Sequence, residues 1–307
     1  MPPDPTDPTD PTDPTDPIDA TDAMNLPPLI DVSALQTLLA TGEPLLLCDC
    51  GHDLADPTAG ARAHQAGHLP EAVHVHLDTD LSAPTTGRNG RHPLPEPKAL
   101  LARLSALSFA DDLPVVVYDS SGGMYAARLW WMLRWLGHAQ VQVLDGGLPA
   151  WRKAGGELQA GAVAPRPLGR FTQRPPLESS LGFEDLLAGL GKGKRLIVDA
   201  RGSDRFRGEN ETLDPVGGHI PGALNRCFRD NLAAEGRFKP AEQLRAEWLT
   251  LMGQRQASDL VQQCGSGVTA CHNLLAMAAA GLEGSALYGG SWSEWCTQPQ
   301  APVATGG

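Results

Sequence analysis

No stretch of the 307-residue chain approaches the roughly 18 consecutive apolar residues that a membrane-crossing helix needs, so no span is expected. The opening residues carry neither a basic segment nor an apolar one, which argues against a secretory leader, and the expected compartment is the cytoplasm. Cysteine is scarce: six residues, at 48, 50, 227, 264, 271 and 296, are too few and too scattered for a disulfide framework. No Cys-x-x-Cys pair points to zinc. No metal and no other cofactor is expected. Basic residues are outnumbered 24 to 36, for a net charge of −12. Seven of those negatives (Asp4, Asp7, Asp10, Asp13, Asp16, Asp19 and Asp22) sit in one N-terminal run, leaving −5 for the rest. A mildly acidic chain lacks the basic face that nucleic acid demands.

That run, residues 3–23, repeats Pro-Thr-Asp and has almost no apolar surface to bury, so it is expected to be disordered. Met24 is a candidate start for the folded protein, with the repeat as translated upstream sequence; a mature end at Pro2 in protein from the native host would exclude this. Beyond the tail the chain repeats itself once. Leu46-Leu47-Cys48-Asp49 returns as Leu196-Ile197-Val198-Asp199, and Gly67-His68-Leu69-Pro70 as Gly218-His219-Ile220-Pro221. Val115–Asp119 aligns with Leu260–Cys264, and Leu144-Asp145-Gly146-Gly147 with Leu287-Tyr288-Gly289-Gly290. Four features in one order at nearly one offset describe a duplicated unit of roughly 130 residues. In the first copy, apolar runs at 44–49, 113–119 and 140–144 alternate with helical patterns at 98–107 and 124–136, the signature of βαβ units. The expected boundaries are a tail over 1–25, a first domain over 26–154, a Gly/Pro/Ala-rich linker over 155–178 and a second domain over 179–307.

The chemistry points to one place. Cys264-Gly265-Ser266-Gly267-Val268-Thr269-Ala270 lies between a strand-like run, 258–263, and an Ala/Leu-rich helical run, 271–280. A cysteine there faces the amides and positive dipole end of a helix N-terminus, which favours the thiolate. Two glycines allow successive amides to curl around the sulfur as an anion-holding nest. The plain alternative is a buried structural cysteine on a tight turn.

These features together resemble the tandem-domain rhodanese family of sulfurtransferases. Asp199-Ala200-Arg201, Arg205-Phe206-Arg207-Gly208, Gly218–Asn225 and Gly289–Trp295 carry the likeness in the second copy. Gly67–Pro70, Tyr118-Asp119, Arg128-Leu129-Trp130-Trp131 and Leu144–Gly147 carry it in the first. The resemblance implies an α/β fold of two rhodanese-like domains, each a mostly parallel sheet flanked by helices. It implies a silent first domain, with Asp119 where the second has Cys264, and an active site where the two meet. Cys-Gly-Ser-Gly-Val-Thr is the loop of the 3-mercaptopyruvate-using branch; thiosulfate-using members usually place basic residues there. Thiosulfate is a compact dianion that a loop without a cation compensates poorly.

For the site, the resemblance implies Cys264 as the persulfide-forming nucleophile, loop residues Gly265, Gly267, Val268 and Thr269 around the donor, and Arg205 for its carboxylate. It also implies a relay from Ser266 to His68 and an acid, with Asp56 as the candidate acid. Ser266 could instead cap the following helix, and His68 has a structural alternative because His219 occupies the same place in the other copy. An arginine that some members carry just before Gly-His-Ile-Pro is missing here; Asp214 stands near its place. Arg91 or Arg88, in the basic loop 87–95, could supply the cation from across the cleft, which keeps thiosulfate open as donor. Acceptors would be cyanide, a small thiol or a dithiol protein. Two rival functions remain to weigh. A cysteine phosphatase needs an arginine six positions after the cysteine, and Ala270 stands there. A non-catalytic sulfur-relay module would lack a small-molecule donor of its own.

Overall fold

The computed structural model describes residues 26–307, so the Pro-Thr-Asp tail and Met24 lie outside the described residues. Two five-stranded sheets form, and every strand pair within them is parallel. The first uses β1 (Leu29–Ile30), β2 (Leu46–Asp49), β3 (Val73–His74), β4 (Val115–Tyr118) and β5 (Val141–Leu144), in the order β1-β5-β4-β2-β3. The second uses β6 (Ser179–Leu181), β7 (Leu196–Asp199), β8 (Leu224–Asn225), β9 (Leu260–Gln263) and β10 (Ala286–Tyr288), in the order β6-β10-β9-β7-β8. The order is the same, so the duplication seen in the chain is a duplication of topology. Helices cover both faces of a parallel sheet, so the central strands β2, β4 and β9 are buried at every residue. Strands β2 and β4 start as unbroken apolar runs, while β9 ends in the buried pair Gln262 and Gln263. Leu46 pairs with Val115 in one sheet, and its counterpart Leu196 pairs with Leu260 in the other.

Two helices bind the sheets to each other. Ala126–Trp135 follows β4, Thr269–Ala279 follows β9, and they pack together in one core that draws on both units. Each is apolar nearly all round, the composition of a helix with no solvent face; Trp130 and Trp131 are fully enclosed. The strand tips ahead of these helices, Asp119 and Cys264, therefore sit beside the seam between the units. The segment 155–178 runs back along the first unit. Gln159 bridges His68, Gly169 N donates to Ser105 O at 2.9 Å, and Phe171 is buried against Phe109. Among the described residues no helix is long and apolar enough to cross a membrane.

Candidate active site

Cys264 leaves the end of β9 and opens a tight loop into helix Thr269–Ala279. Only glycine suits position 267: its φ is +77°, and a Cβ there would come within 2.3 Å of Gly289 O. The curl this allows turns Gly267 N toward the sulfur, which it reaches at 3.2 Å. Among the described residues it is the one amide that bonds to Sγ, fewer than the nest of successive amides the glycine spacing suggests. The rest of the loop is pinned from behind. Cys264 N donates to Ser291 Oγ at 3.1 Å, while Trp292 N and Ser293 N donate to Cys264 O and Gly265 O, each at 2.9 Å. Ser291 holds this position with φ +54°, a strained conformation for a non-glycine residue. Cys264 is 2% exposed, and that exposure opens onto a cleft of about 280 Å³ it shares with Ser266, Thr269, Arg91 and Arg205.

The matching loop of the first unit shows what such a turn binds. Asp119 fills it with its own carboxylate, accepting from Ser121 N (2.7 Å), Gly123 N (3.0 Å), Tyr125 N (2.8 Å) and Ala126 N (2.9 Å). The first loop thus carries a built-in anion where the second carries a sulfur.

The first unit closes the cleft with the loop around 87–95. Arg91 N donates to Ser293 Oγ at 3.0 Å, and His92 Nδ1 lies 2.7 Å from Ser266 Oγ. His92 Nε2 in turn lies 3.2 Å from Asp78 Oδ1. Ser266, His92 and Asp78 thus form a hydroxyl–imidazole–carboxylate chain across the domain seam. Burial, with Arg128 adding to it and Asp78 opposing, holds His92 down at about 4, so the ring is neutral at neutral pH. With the Asp78 carboxylate facing Nε2, the ring proton is favoured on that nitrogen, which leaves Nδ1 as acceptor for the Ser266 proton.

His68 does not take that place. It is fully buried in its own turn, with Nδ1–H donating to His64 O at 2.6 Å and its ring stacked on His64 at 3.8 Å. His219 repeats the arrangement, bonding Phe206 O at 2.8 Å and stacking on Phe206 at 3.8 Å. Both copies of Gly-His-x-Pro use the ring to brace a turn, and Ser266 meets His92 instead. Asp56 is exposed and taken up with Arg62 and Thr58; the Arg62 guanidinium holds its carboxyl well below the usual carboxylate range. Its place in the relay belongs to Asp78.

Arg205 and Arg91 converge from opposite sides. Arg91 Nη2 lies 2.8 Å, and Arg205 Nη1 3.5 Å, from the point where a Cβ on Gly265 would sit. Beneath the loop lies Arg128, fully buried, donating to Gly267 O and to His92 O at 3.0 Å each. The Cys271 thiol donates to the same Gly267 O at 3.2 Å, and burial pushes it up to about 12. It is a protonated packing group, not a second reactive thiol. His52, His76 and Asp78 place donor atoms close together. His76 Nδ1, however, accepts from Asp78 N and its Nε2 meets Pro57 O, so both ring nitrogens are occupied. His92, Asp78 and Arg128 are the residues that pattern reading missed. For Arg128 the signal was there, a charge among apolar residues in the first turns of a helical run whose other arginine, Arg134, stands in the last turn and pairs with Glu178.

A family model described as the rhodanese-like domain matches residues 31–154 and again 183–298. A Pseudomonas aeruginosa protein named "Probable 3-mercaptopyruvate sulfurtransferase" is 48% identical over 278 residues, 90% of this chain and 98% of its own length. A thiosulfate sulfurtransferase of Cricetulus griseus is 36% identical over 260 residues, 80% of this chain and 83% of its own. The solved structure of 3-mercaptopyruvate sulfurtransferase from Leishmania major superposes with a TM-score of 0.79 at 30% identity, over 90% of this chain and 77% of that one. With the same domain matched twice, the same sheet built twice and a cysteine loop facing the seam, the chain belongs to the rhodanese-like family as a tandem-domain sulfurtransferase.

Proposed function

We propose that the protein moves the sulfur of 3-mercaptopyruvate, through a persulfide on Cys264, to cyanide or a thiol, including the thiol of a dithiol protein. In this reading residues 26–154 form the silent domain and 179–307 the catalytic one, and the reaction runs in the cytoplasm, where the six free cysteines stay reduced. The donor carboxylate is held between Arg91 and Arg205. The Cys264 thiolate attacks the donor sulfur and an S–S bond forms. The S–C bond breaks with its electron pair passing to carbon, the outer sulfur stays on Cys264 as a persulfide anion, and the enolate of pyruvate leaves and takes up the proton that the donor's thiol gave up. Gly267 N, at the mouth of the helix that follows, holds the sulfur's negative charge. The acceptor then attacks the outer sulfur and Cys264 departs as thiolate.

The observation that carries the choice of donor is the 2.7 Å contact between Ser266 Oγ and His92 Nδ1, backed by Asp78. A hydroxyl in such a chain can polarise a ketone and handle the proton of the departing enolate. 3-Mercaptopyruvate needs both and thiosulfate needs neither. Thiosulfate stays as the second reading because two guanidiniums overhang Gly265. Intact mass after donor treatment, with steady-state rates for both donors, is the test. An adduct of one sulfur atom that is absent in Cys264→Ser, with mercaptopyruvate the faster donor, is the expected result. No adduct from either donor defeats the proposal; a clear thiosulfate preference hands it to the second reading.

A further inference from the structure

Asp214 is an unusual neighbour for an anion-binding cleft. Its side chain is 3% exposed and spans two arginines from different units: one carboxylate oxygen accepts from Arg91 Nη1, the other from Arg205 Nη2 at 3.2 Å. A second acid stands beside it. Glu211 takes the Nε and Nη2 edge of Arg205 at 3.0 and 2.8 Å and accepts the backbone N–H of Asp214 at 3.1 Å. The nearby Arg201 also reaches Glu211, at 3.4 Å, but its charge is matched by Asp199 at 2.7 Å, and it donates to Gly218 O at 2.6 Å.

The consequence for the cleft is a matter of counting charges and edges. An arginine recognises an oxyanion best through a two-pronged edge. Asp214 and Glu211 occupy such an edge of Arg205, and Asp214 occupies one prong of Arg91. What remains turned toward Gly265 is Nη2 of Arg91 and Nη1 of Arg205, one donor group from each domain. Two cations matched by two carboxylates leave the mouth of the cleft with no net charge from these four groups. Such a cradle suits a single carboxylate bridging the two guanidiniums. One carboxylate is met by the two free donor groups, whereas a compact dianion brings a second charge that no free donor of these arginines meets and that Asp214 and Glu211 repel.

The geometry points to Asp214 as the residue that sets donor specificity: it fixes Arg91 across the seam and cancels the surplus positive charge that a dianionic donor requires. This rests on the persulfide reading above and adds to it the residue that discriminates between donors of one and two negative charges. Asp214 works through the arginines and is a positioning residue. Losing its charge frees a guanidinium edge for a second anionic oxygen.

The experiment compares wild type, Asp214→Asn and Asp214→Glu with cyanide as acceptor and each donor in turn, at two salt concentrations. In D214N the ratio of kcat/KM for thiosulfate to that for mercaptopyruvate is expected to rise on the order of tenfold. The rise should come through a lower KM for thiosulfate and shrink at the higher salt. D214E, which keeps the charge, should stay close to the wild-type ratio. Asp214→Ala, read in the same assay, guards against a folding defect peculiar to D214N. An unmoved or falling ratio in the charge-free variants overturns the inference, as does an equal shift in D214E. Wild-type protein that takes up sulfur from neither donor brings down the functional reading itself; sulfur uptake with an unmoved ratio brings down the role of Asp214 alone.

Discussion

Arg128 reaches across the domain seam to Gly267: its Nη1 donates to the carbonyl of the cysteine loop at 3.0 Å, from a helix of the unit that carries no nucleophile. Its other terminal nitrogen holds the carbonyl of His92 at the same distance. One side chain thus sets the spacing between the sulfur loop and the relay. No carboxylate of the described residues pairs with it, and burial draws its pKa below the ordinary arginine range. Arg128→Met removes the buried charge along with both hydrogen bonds. The two losses offset partly, so urea denaturation should show a cost of no more than about 2 kcal/mol. The rate should fall further, by on the order of a hundredfold in kcat, because both the loop and His92 lose their brace.

Ser266→Ala, His92→Asn and Asp78→Asn are expected to lower kcat/KM for mercaptopyruvate by roughly 10²-fold or more each. The three act as one chain, so the double variant S266A/H92N should be scarcely worse than the poorer single one. Thiosulfate turnover, which needs no ketone polarised, should suffer less in all three. Equal losses with both donors would mean the chain serves the loop's shape instead.

His68→Asn offers the contrast. The ring sits in a turn, bonded to His64 O and stacked on His64, with no contact to Ser266. Thermal or urea unfolding should register a loss of about 1–3 kcal/mol, while kcat of the folded fraction should hold within a few-fold of wild type. A large drop in kcat at unchanged stability would restore His68 to the relay.

His92 and His272 are both held at about 4, each chiefly by burial, against an ordinary value of 6.5. The unfolded chain therefore binds more protons between pH 6.5 and 4, so stability rises with pH across that window and is complete above about 7. Moving from pH 7 to 5 should cost about 2 kcal/mol per histidine. His272→Gln, which can still donate to Gly122 O, should remove its share of that slope in urea titrations at the two pH values. The relay should likewise remain competent down to about pH 5, with the acid limb of kcat/KM for mercaptopyruvate well below 6.5.

Cys271→Ser should still take up one sulfur atom per chain. Its thiol donates to Gly267 O beside the Arg128 guanidinium, contacts a hydroxyl can also make, and intact mass after donor treatment reads the outcome directly. A variant that loads no sulfur, or a wild-type protein carrying a Cys264–Cys271 disulfide after turnover, would assign Cys271 a chemical role.

Much of the architecture was legible along the chain because it depends on neighbours. The apolar runs at 46–48 and 115–117 have no polar alternate residues, which is how a strand covered on both faces must read. The Gly265 and Gly267 spacing announced a curled turn, since positive φ at 267 admits little else. The duplication also carried a warning about His68. A residue repeated in both copies of Gly-His-x-Pro serves what the copies share, a braced turn, and not what only one of them does.

His92 lies 174 positions from Ser266, Asp214 123 from Arg91, and Arg128 139 from Gly267. No periodicity or spacing rule spans such distances, because these contacts exist only once two separately closed sheets dock along one seam. Strand, turn and nucleophile were written locally, in side-chain volume and backbone freedom over a few residues. Which histidine faces the serine, and which acid tempers the arginines, follows from how loops of one domain land on the other, where packing of the whole core sets the distances.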